Sequence, residues 1–261
     1  NPINTYETNF NGTINLLEAF RRNNNVRVGV FVTTDKVYKN KEKNEGYNED
    51  DSLGGYDPYS ASKAASEIAI SSYRSSFICS SDNSSNLKSI SSARAGNVIG
   101  GGDWSKDRLI PDIVKAHESN RKITIRNPQA IRPWQHVLDP LYGYLILAFK
   151  MWENPLMFNE SWNFGPDPES SETVINLAKN IKEKLKSNLE IQIIDNYFHE
   201  TNILKLDSSK SYNKLGWRSL LDYSKAVSLT TEWYNNYDKK DVYQMTLEQI
   251  KYFMTLVRNR G

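Results

Sequence analysis

A β-branched run, Val26-Arg27-Val28-Gly29-Val30-Phe31-Val32, breaks off at the polar residues Thr33-Thr34-Asp35-Lys36. Just before it, residues 5–22 place Tyr6, Phe10, Ile14 and Leu17 at helical spacing on one face, widened by Leu16 and Phe20. A helix that feeds a short apolar strand ending in polar residues is one repeat of a parallel sheet. In such sheets ligands collect at the carboxyl ends of the strands. The chain is therefore read as α/β, and residues 33–36 stand where a ligand is expected.

Further elements follow the same logic. Residues 39–55 read as a charged, glycine-bearing loop. A long helix over 59–77 is entered through Asp57-Pro58. Half of the positions in 71–92 are serine, which reads as a helix end and a solvated loop. Strands are predicted over 91–98, 123–125 and 162–165, and helices over 109–119, 138–152 and 171–186. From Ile191 onward a strand, a long loop and two helices remain, and no internal repeat is visible.

Composition narrows the function classes. The 261 residues carry 33 basic and 31 acidic side chains, a net charge of +2, which offers no basic field for nucleic acid and no polybasic membrane patch. The longest strongly apolar stretch, 142–149, is far shorter than the ~20 residues a membrane helix needs. The single Cys79 excludes an internal disulfide framework and fits a reducing cytoplasm. His117, His136 and His199 lack metal-ligand spacing, so no metal is expected.

Tyr59-Ser60-Ala61-Ser62-Lys63 is the first chemical constellation. Residues four apart on a helix share a face, and a neighbouring ammonium favours phenolate, which turns a tyrosine into a proton acceptor. The same spacing also describes an ordinary solvated pair. Thr34-Asp35-Lys36 at a strand end adds weight to the catalytic reading.

These motifs resemble the extended short-chain dehydrogenase/reductase family and, within it, the CDP-glucose 4,6-dehydratases. The resemblance runs through Tyr6-Glu7-Thr8-Asn9, Thr34-Asp35-Lys36 and Leu53-Gly54-Gly55-Tyr56-Asp57-Pro58-Tyr59-Ser60-Ala61-Ser62-Lys63. It continues through Asn97-Val98-Ile99-Gly100-Gly101-Gly102-Asp103-Trp104, Arg108-Leu109-Ile110-Pro111-Asp112 and Arg132-Pro133-Trp134-Gln135-His136-Val137 to the end of the chain. It implies a partial Rossmann-type parallel sheet with helices on both faces and a smaller C-terminal α/β substrate domain. The cofactor side is expected over 1–101, with about 131–157 returning to it, and nucleotide-sugar binding mainly over 102–261.

The implied activity is that of a hydro-lyase in deoxysugar and lipopolysaccharide O-antigen biosynthesis, with NAD as cofactor, a homodimer as assembly and the cytoplasm as location. Tyr59 takes the C4 hydroxyl proton, and Lys63 lowers the pKa of Tyr59 and holds the nicotinamide ribose. Thr34 binds the C4 oxygen, Asp35 is the acid for the departing C6 hydroxyl, and Lys36 assists deprotonation at C5, with crowding by Lys63 and burial expected to lower its pKa. Thr33 and Val98 join Tyr59 and Lys63 around the cofactor. Asn97, Arg108, Leu109, Arg132 and Thr34 receive the nucleotide sugar. Asn9 braces the site or faces solvent, Trp134 and His136 are read as packing residues, and Tyr142 and Glu200 are weak candidates.

The family's opening strand, glycine-rich turn and helix are not found before Tyr59, and Gly100-Gly101-Gly102 follows the catalytic helix and cannot replace them. The expectation is that 1–261 alone binds NAD poorly. An epimerase or reductase of the same family and a non-catalytic sugar-nucleotide module remain alternative readings. So do the identity of the nucleotide, NAD or NADP, and the group acting as C5 base.

Overall fold

The computed structural model describes residues 1–43, 45–78, 87–194 and 203–260. The chain opens with α1 (Pro2–Tyr6), a π-helical turn Glu7–Asn11, α2 (Gly12–Arg22) and β1 (Val28–Val32), then a 3₁₀ turn Asp35–Val37. Next come α3 (Pro58–Tyr73), β2 (Ser89–Arg94), β3 (Val98–Ile99), α4 (Leu109–Glu118) and β4 (Ile123–Ile125). They are followed by β5 (Ile131–Pro133), β6 (Gln135–His136), α5 (Leu138–Glu153) and β7 (Ser161–Asn163). The last elements are β8 (Ser171–Thr173), α6 (Val174–Lys184), β9 (Ile191–Ile193), α7 (Tyr223–Asn236) and α8 (Val242–Arg258). Cys79, His199 and Glu200 lie outside the described residues.

Two compact units divide the chain. The first comprises Asn1–Gly96, Pro140–Gly165 and Leu204–Arg218. Its sheet is fully parallel in the order β1-β2-β7, with Val28 opposite Ser89 and Ala93 opposite Trp162. Leu17 and Phe20 of α2, Ile70 of α3 and Ile78 pack on Phe31 and Ile90 of this sheet. Each such side chain contributes roughly 1.5–3 kcal/mol on burial. The polar sequence Ser89-Ile90-Ser91-Ser92-Ala93-Arg94 is entirely buried, because its hydroxyls all find acceptors. Ser89 donates to the Pro155 carbonyl at 2.8 Å, Ser91 to that of Phe158 at 2.6 Å and Ser92 to Glu67 Oε2 at 2.7 Å.

The second unit comprises Asn97–Asp139, Pro166–Ile203 and Ser219–Gly261. Its core gathers Ile110, Ile113 and Val114 of α4, Leu177 and Ile181 of α6, and Val227 and Trp233 of α7. Three two-stranded pairs complete it: β3 with β6 and β4 with β9 in parallel, β5 with β8 antiparallel. The triglycine Gly100-Gly101-Gly102 is a packing turn, since a β-carbon at Gly101 would meet Trp233 Cγ at 2.0 Å.

The strand predicted over 91–98 differs from the observed elements. The chain leaves the sheet after Arg94, Asn97 adopts a left-handed φ of 51°, and Val98–Ile99 joins a separate pair. The predicted helix over 171–186 begins instead with Ser171–Thr173 as a strand, paired antiparallel with β5. The first helix contains a π turn at Glu7–Asn11, and the helix predicted to 77 becomes α3 followed by a second π turn, Arg74–Ile78.

Candidate active site

At the carboxyl end of β1 the ladder to β2 continues beyond the strand, with Thr33 N–H donating to Ala93 O at 2.8 Å and Asp35 N–H to Ala95 O at 3.1 Å. Thr34 is the extended cap of the 3₁₀ turn; its hydroxyl accepts from Lys36 N–H at 3.4 Å and donates to Asp35 Oδ1 at 2.9 Å. Asp35 is buried against Gly96, where a β-carbon would stand 1.9 Å from Asp35 Oδ2. Lys36 is exposed, so the burial expected for it is not found.

The loop 39–55 returns to this strand end. Lys39 N–H donates to Ser52 O and Gly54 N–H to Val37 O, each at 2.8 Å, and Tyr38 bridges Leu53 antiparallel. Gly55 then lies on the start of α3, where a β-carbon would meet Ala61 N at 2.2 Å. Asp57 caps the helix by accepting from Tyr59 and Ser60 N–H at 2.9 and 3.1 Å and from the Ser60 hydroxyl at 2.6 Å. Burial pushes the Asp57 carboxyl up, but the bonds from Ser60 and Tyr59 and the Lys36 charge together hold it below its ordinary range. Pro58 at the first helical position fixes φ where no N–H is needed.

The loop thus sets Tyr59 beside the strand end. Lys36 Nζ stands 6.0 Å from the centroid of the half-exposed Tyr59 ring. One turn along α3, Lys63 Nζ donates to Val32 O, the last carbonyl of β1, at 3.5 Å. Burial lowers the Lys63 pKa, and the Glu67 carboxylate opposes that shift. Asn9, in the π turn, donates through Nδ2 to Ser62 Oγ at 3.0 Å and accepts from Ser66 Oγ at its carbonyl at 2.9 Å, bracing α3 between and beyond the two. A π turn at such a place is a frequent mark of functional sites.

The first unit therefore brings together Thr33, Thr34, Asp35, Lys36, Tyr59 and Lys63. The Thr33 hydroxyl donates to Glu67 Oε1 at 2.5 Å. The remaining predicted residues belong to the second unit. Asn97 holds its left-handed backbone with its carbonyl accepting Gln135 N–H at 3.3 Å, and Val98 opens β3 half-buried. Arg108 precedes α4, largely exposed, and pairs with Asp103 Oδ2 at 3.1 Å, while Leu109 packs on the core. Arg132 Nη1 donates to the Ile131 carbonyl at 2.9 Å. Trp134 is packed in the core and donates from Nε1 to Glu172 O at 3.2 Å; burial lowers the His136 pKa to about 4.

Sequence reasoning missed Glu67 and Arg94, both buried, which form a two-pronged ion pair: Arg94 Nε to Oε1 at 2.9 Å and Nη2 to Oε2 at 2.7 Å. The available signals were a glutamate four residues after Lys63 and a lone arginine in a strand of small and apolar residues. Among the described residues no cluster of His, Cys, Asp and Glu has metal-binding geometry, and no helix is long and apolar enough to cross a membrane.

A phenol and an ammonium on one helix face stand beside a Thr-Asp-Lys turn at the end of a parallel strand, in a Rossmann-type α/β fold. The chain belongs to the family described as GDP-mannose 4,6 dehydratase, which matches residues 1–230. It is 43% identical over 235 residues to the CDP-glucose 4,6-dehydratase of Salmonella typhimurium, an alignment covering 89% of this chain and 65% of that protein. It is 26% identical to the human dTDP-D-glucose 4,6-dehydratase, covering 78% of this chain and 55% of that one. Among solved structures, the fold matches the dTDP-glucose 4,6-dehydratase of Bacillus anthracis in complex with NAD, with a TM-score of 0.73, 22% identity and coverage of 90% of this chain and 70% of that one. A UDP-glucose 4-epimerase of Thermotoga maritima matches with a TM-score of 0.75 at 19% identity, covering 92% and 73%.

Proposed function

We propose that this chain carries the catalytic groups of an NAD-dependent nucleotide-sugar 4,6-dehydratase, a hydro-lyase that converts CDP-glucose to CDP-4-keto-6-deoxyglucose. The observation that carries the reading is the placement of Lys36 Nζ 6.0 Å from the Tyr59 ring, next to the Thr34–Asp35 hydroxyl–carboxylate pair. An epimerisation at C4 has no use for a carboxyl and an amine beyond the Tyr59–Lys63 couple, whereas an elimination needs both. CDP-glucose as the substrate is supported by the relative that is 43% identical.

The residues fit the nicotinamide end of the cofactor. A phenol and a half-buried ammonium stand at the carboxyl end of a parallel strand, the place where such sheets take dinucleotides. Bound there, NAD supplies a reversible hydride acceptor. Lys63 would hold its ribose, with Thr33 and Val98 on the cofactor side.

The chain's own residues handle protons. Neither the C5 proton nor the C6 hydroxyl of a hexose is activated, but a carbonyl at C4 makes C5–H acidic. Tyr59 as phenolate accepts the C4 hydroxyl proton, with the Lys63 ammonium favouring that phenolate. Thr34 donates its hydroxyl to the C4 oxygen, its proton being released from Asp35 Oδ1 when Asp35 takes its acid form. Lys36, exposed and on the Tyr59 side, assists removal of the C5 proton, and Asp35 in its acid form gives a proton to the departing C6 hydroxyl. One C5–H bond and one C6–O bond break and water leaves; the hydrogen given up by C4 as hydride would return to C6 and a proton to C5, which gives the 4-keto-6-deoxy product with no net oxidation. Asn97, Arg108, Leu109 and Arg132 receive the nucleotide sugar, the two guanidinium groups being suited to phosphate.

We assign the cofactor side mainly to Asn1–Gly96, Pro140–Gly165 and Leu204–Arg218, rather than to 1–101 with about 131–157, and the nucleotide-sugar side mainly to the remainder. A cytoplasmic homodimer is supported by the single cysteine and by exposed Ile3, Leu16 and Ile68 on α1, α2 and α3. The test is incubation of the full-length protein with NAD and, separately, CDP-glucose, dTDP-glucose, UDP-glucose and GDP-mannose, with products read by mass spectrometry. Loss of one water from CDP-glucose in preference to the others is expected. A product of unchanged mass with inverted C4 would replace this reading with an epimerase, and binding without turnover would replace it with a binding module.

A further inference from the structure

Glu67 sits one helical turn beyond Lys63 on α3, and its buried carboxylate collects donors from three strand segments. Besides the Arg94 fork, it accepts from the Thr33 hydroxyl just after β1 at 2.5 Å, the Ser92 hydroxyl of β2 at 2.7 Å and the Ser161 hydroxyl of β7 at 3.5 Å. Arg94 in turn donates from Nη1 to the Tyr38 hydroxyl at 2.8 Å, and that hydroxyl donates to Asn163 Oδ1 at 2.7 Å. A fully satisfied network of this kind is rigid, whereas an unpartnered member would be costly.

We propose that Glu67, locked by Arg94, is a positioning residue for the Tyr59–Lys63 pair: it fastens the third turn of α3 to β1, β2 and β7, and it sets its carboxylate one helical turn from the Lys63 ammonium. This rests on the catalytic reading of Tyr59 and Lys63 given above. The geometry is direct, since Thr33 bonds Glu67 while its neighbour Val32 offers its carbonyl to Lys63, so one end of β1 is tied to two successive turns of the helix.

The other charges around α3 do not serve this purpose. The titratable groups on elements packed against it are Tyr6 and Glu7 before α2, Asp35 and Lys36 after β1, Arg74 on the π turn after α3 and Arg94 on β2, with Tyr59 and Tyr73 on the helix itself. Glu18, Arg21 and Arg22 of α2 pair with one another. The charge that acts on Lys63 is that of Glu67, and it counters the effect of burial. Removing it while Arg94 stays leaves Lys63 half-buried with a nearby unpaired cation, and both changes favour the neutral amine.

The test reads Lys63 directly. The protein and its Glu67→Gln variant are acylated with acetic anhydride across a pH series, and modification of the Lys63 peptide is quantified by mass spectrometry. The half-modification pH is expected to fall by about one unit in Glu67→Gln, and the alkaline limb of turnover should move down with it. A double variant, Glu67→Met with Arg94→Met, removes both charges without leaving either unpaired, and its Lys63 should shift in the same direction by less. An unchanged Lys63 titration in Glu67→Gln overturns the proposal, and the double variant decides in the same way should Glu67→Gln not fold. If the parent protein turns over no nucleotide sugar, the dehydratase reading fails, whereas the Lys63 titration still tests the role of Glu67.

Discussion

Gly96 and Asp35 are in such close contact that a β-carbon at 96 would stand 1.9 Å from Asp35 Oδ2 and 2.1 Å from its Cγ. The Asp35 N–H is itself bonded to Ala95 O at 3.1 Å, so the segment after β2 fixes both backbone and carboxyl of the acid. The obstacle is a buried carboxyl group on a short side chain, which has little room to yield.

Gly96→Ala is accordingly expected to displace Asp35. Overpacking of a buried site costs typically about 1–3 kcal/mol, so the melting temperature should fall by several degrees, and dehydration should fall by more than sugar-nucleotide affinity. Thermal melts and calorimetric titration with CDP-glucose check this. A variant with normal turnover would mean that Asp35 has no need of its observed position.

Tyr59→Phe keeps the ring beside Lys36 and removes the phenolic oxygen. A general base contributes typically about 10²–10⁴-fold in rate, so turnover should fall by that order while affinity for the nucleotide sugar stays near that of the parent. Steady-state kinetics with equilibrium binding separate the two.

Asp35→Asn should slow the loss of water more than the formation of the C4 carbonyl, because an amide cannot act as the acid. In a single turnover the 4-keto hexose that still bears its C6 hydroxyl should accumulate, as read by quenched-flow mass spectrometry. Equal slowing of both steps would make Asp35 a structural residue.

Much of this site was legible in the sequence. The run ending at Val32 gave the strand, and the Tyr59–Lys63 spacing gave a shared helix face. Three things were hidden, each for a physical reason. The break after Arg94 depends on Gly96 yielding to Asp35 and on the left-handed Asn97, and neither shows in a β-favouring sequence. Ser171–Thr173 is too short to show a period of two and owes its strand form to its partner β5. Glu67 reads as a solvated helix residue, and only the fold brings Arg94 to it.

A pH effect is expected in the second unit. Burial raises the Asp139 pKa from 3.8 to about 6, against a bond from Leu220 N–H at 2.6 Å. Because the folded pKa is the higher one, folding favours the protonated form. This contribution is present below about pH 4, is lost as pH rises towards 6, and is constant above. Asp139→Asn keeps an acceptor and cannot ionise, so its stability relative to the parent should rise across that window by up to roughly 3 kcal/mol. Urea unfolding at a series of pH values measures the difference, and a pH-independent difference would place the Asp139 titration elsewhere.

The central claim is an internal transfer of hydrogen from C4 to C6 coupled to loss of water, and C4-deuterated CDP-glucose tests it most directly. Incubated with the full-length protein and NAD, it should yield CDP-4-keto-6-deoxyglucose with the deuterium at C6, read by NMR and mass spectrometry. Deuterium retained at C4 in a product that has kept its water would contradict the account.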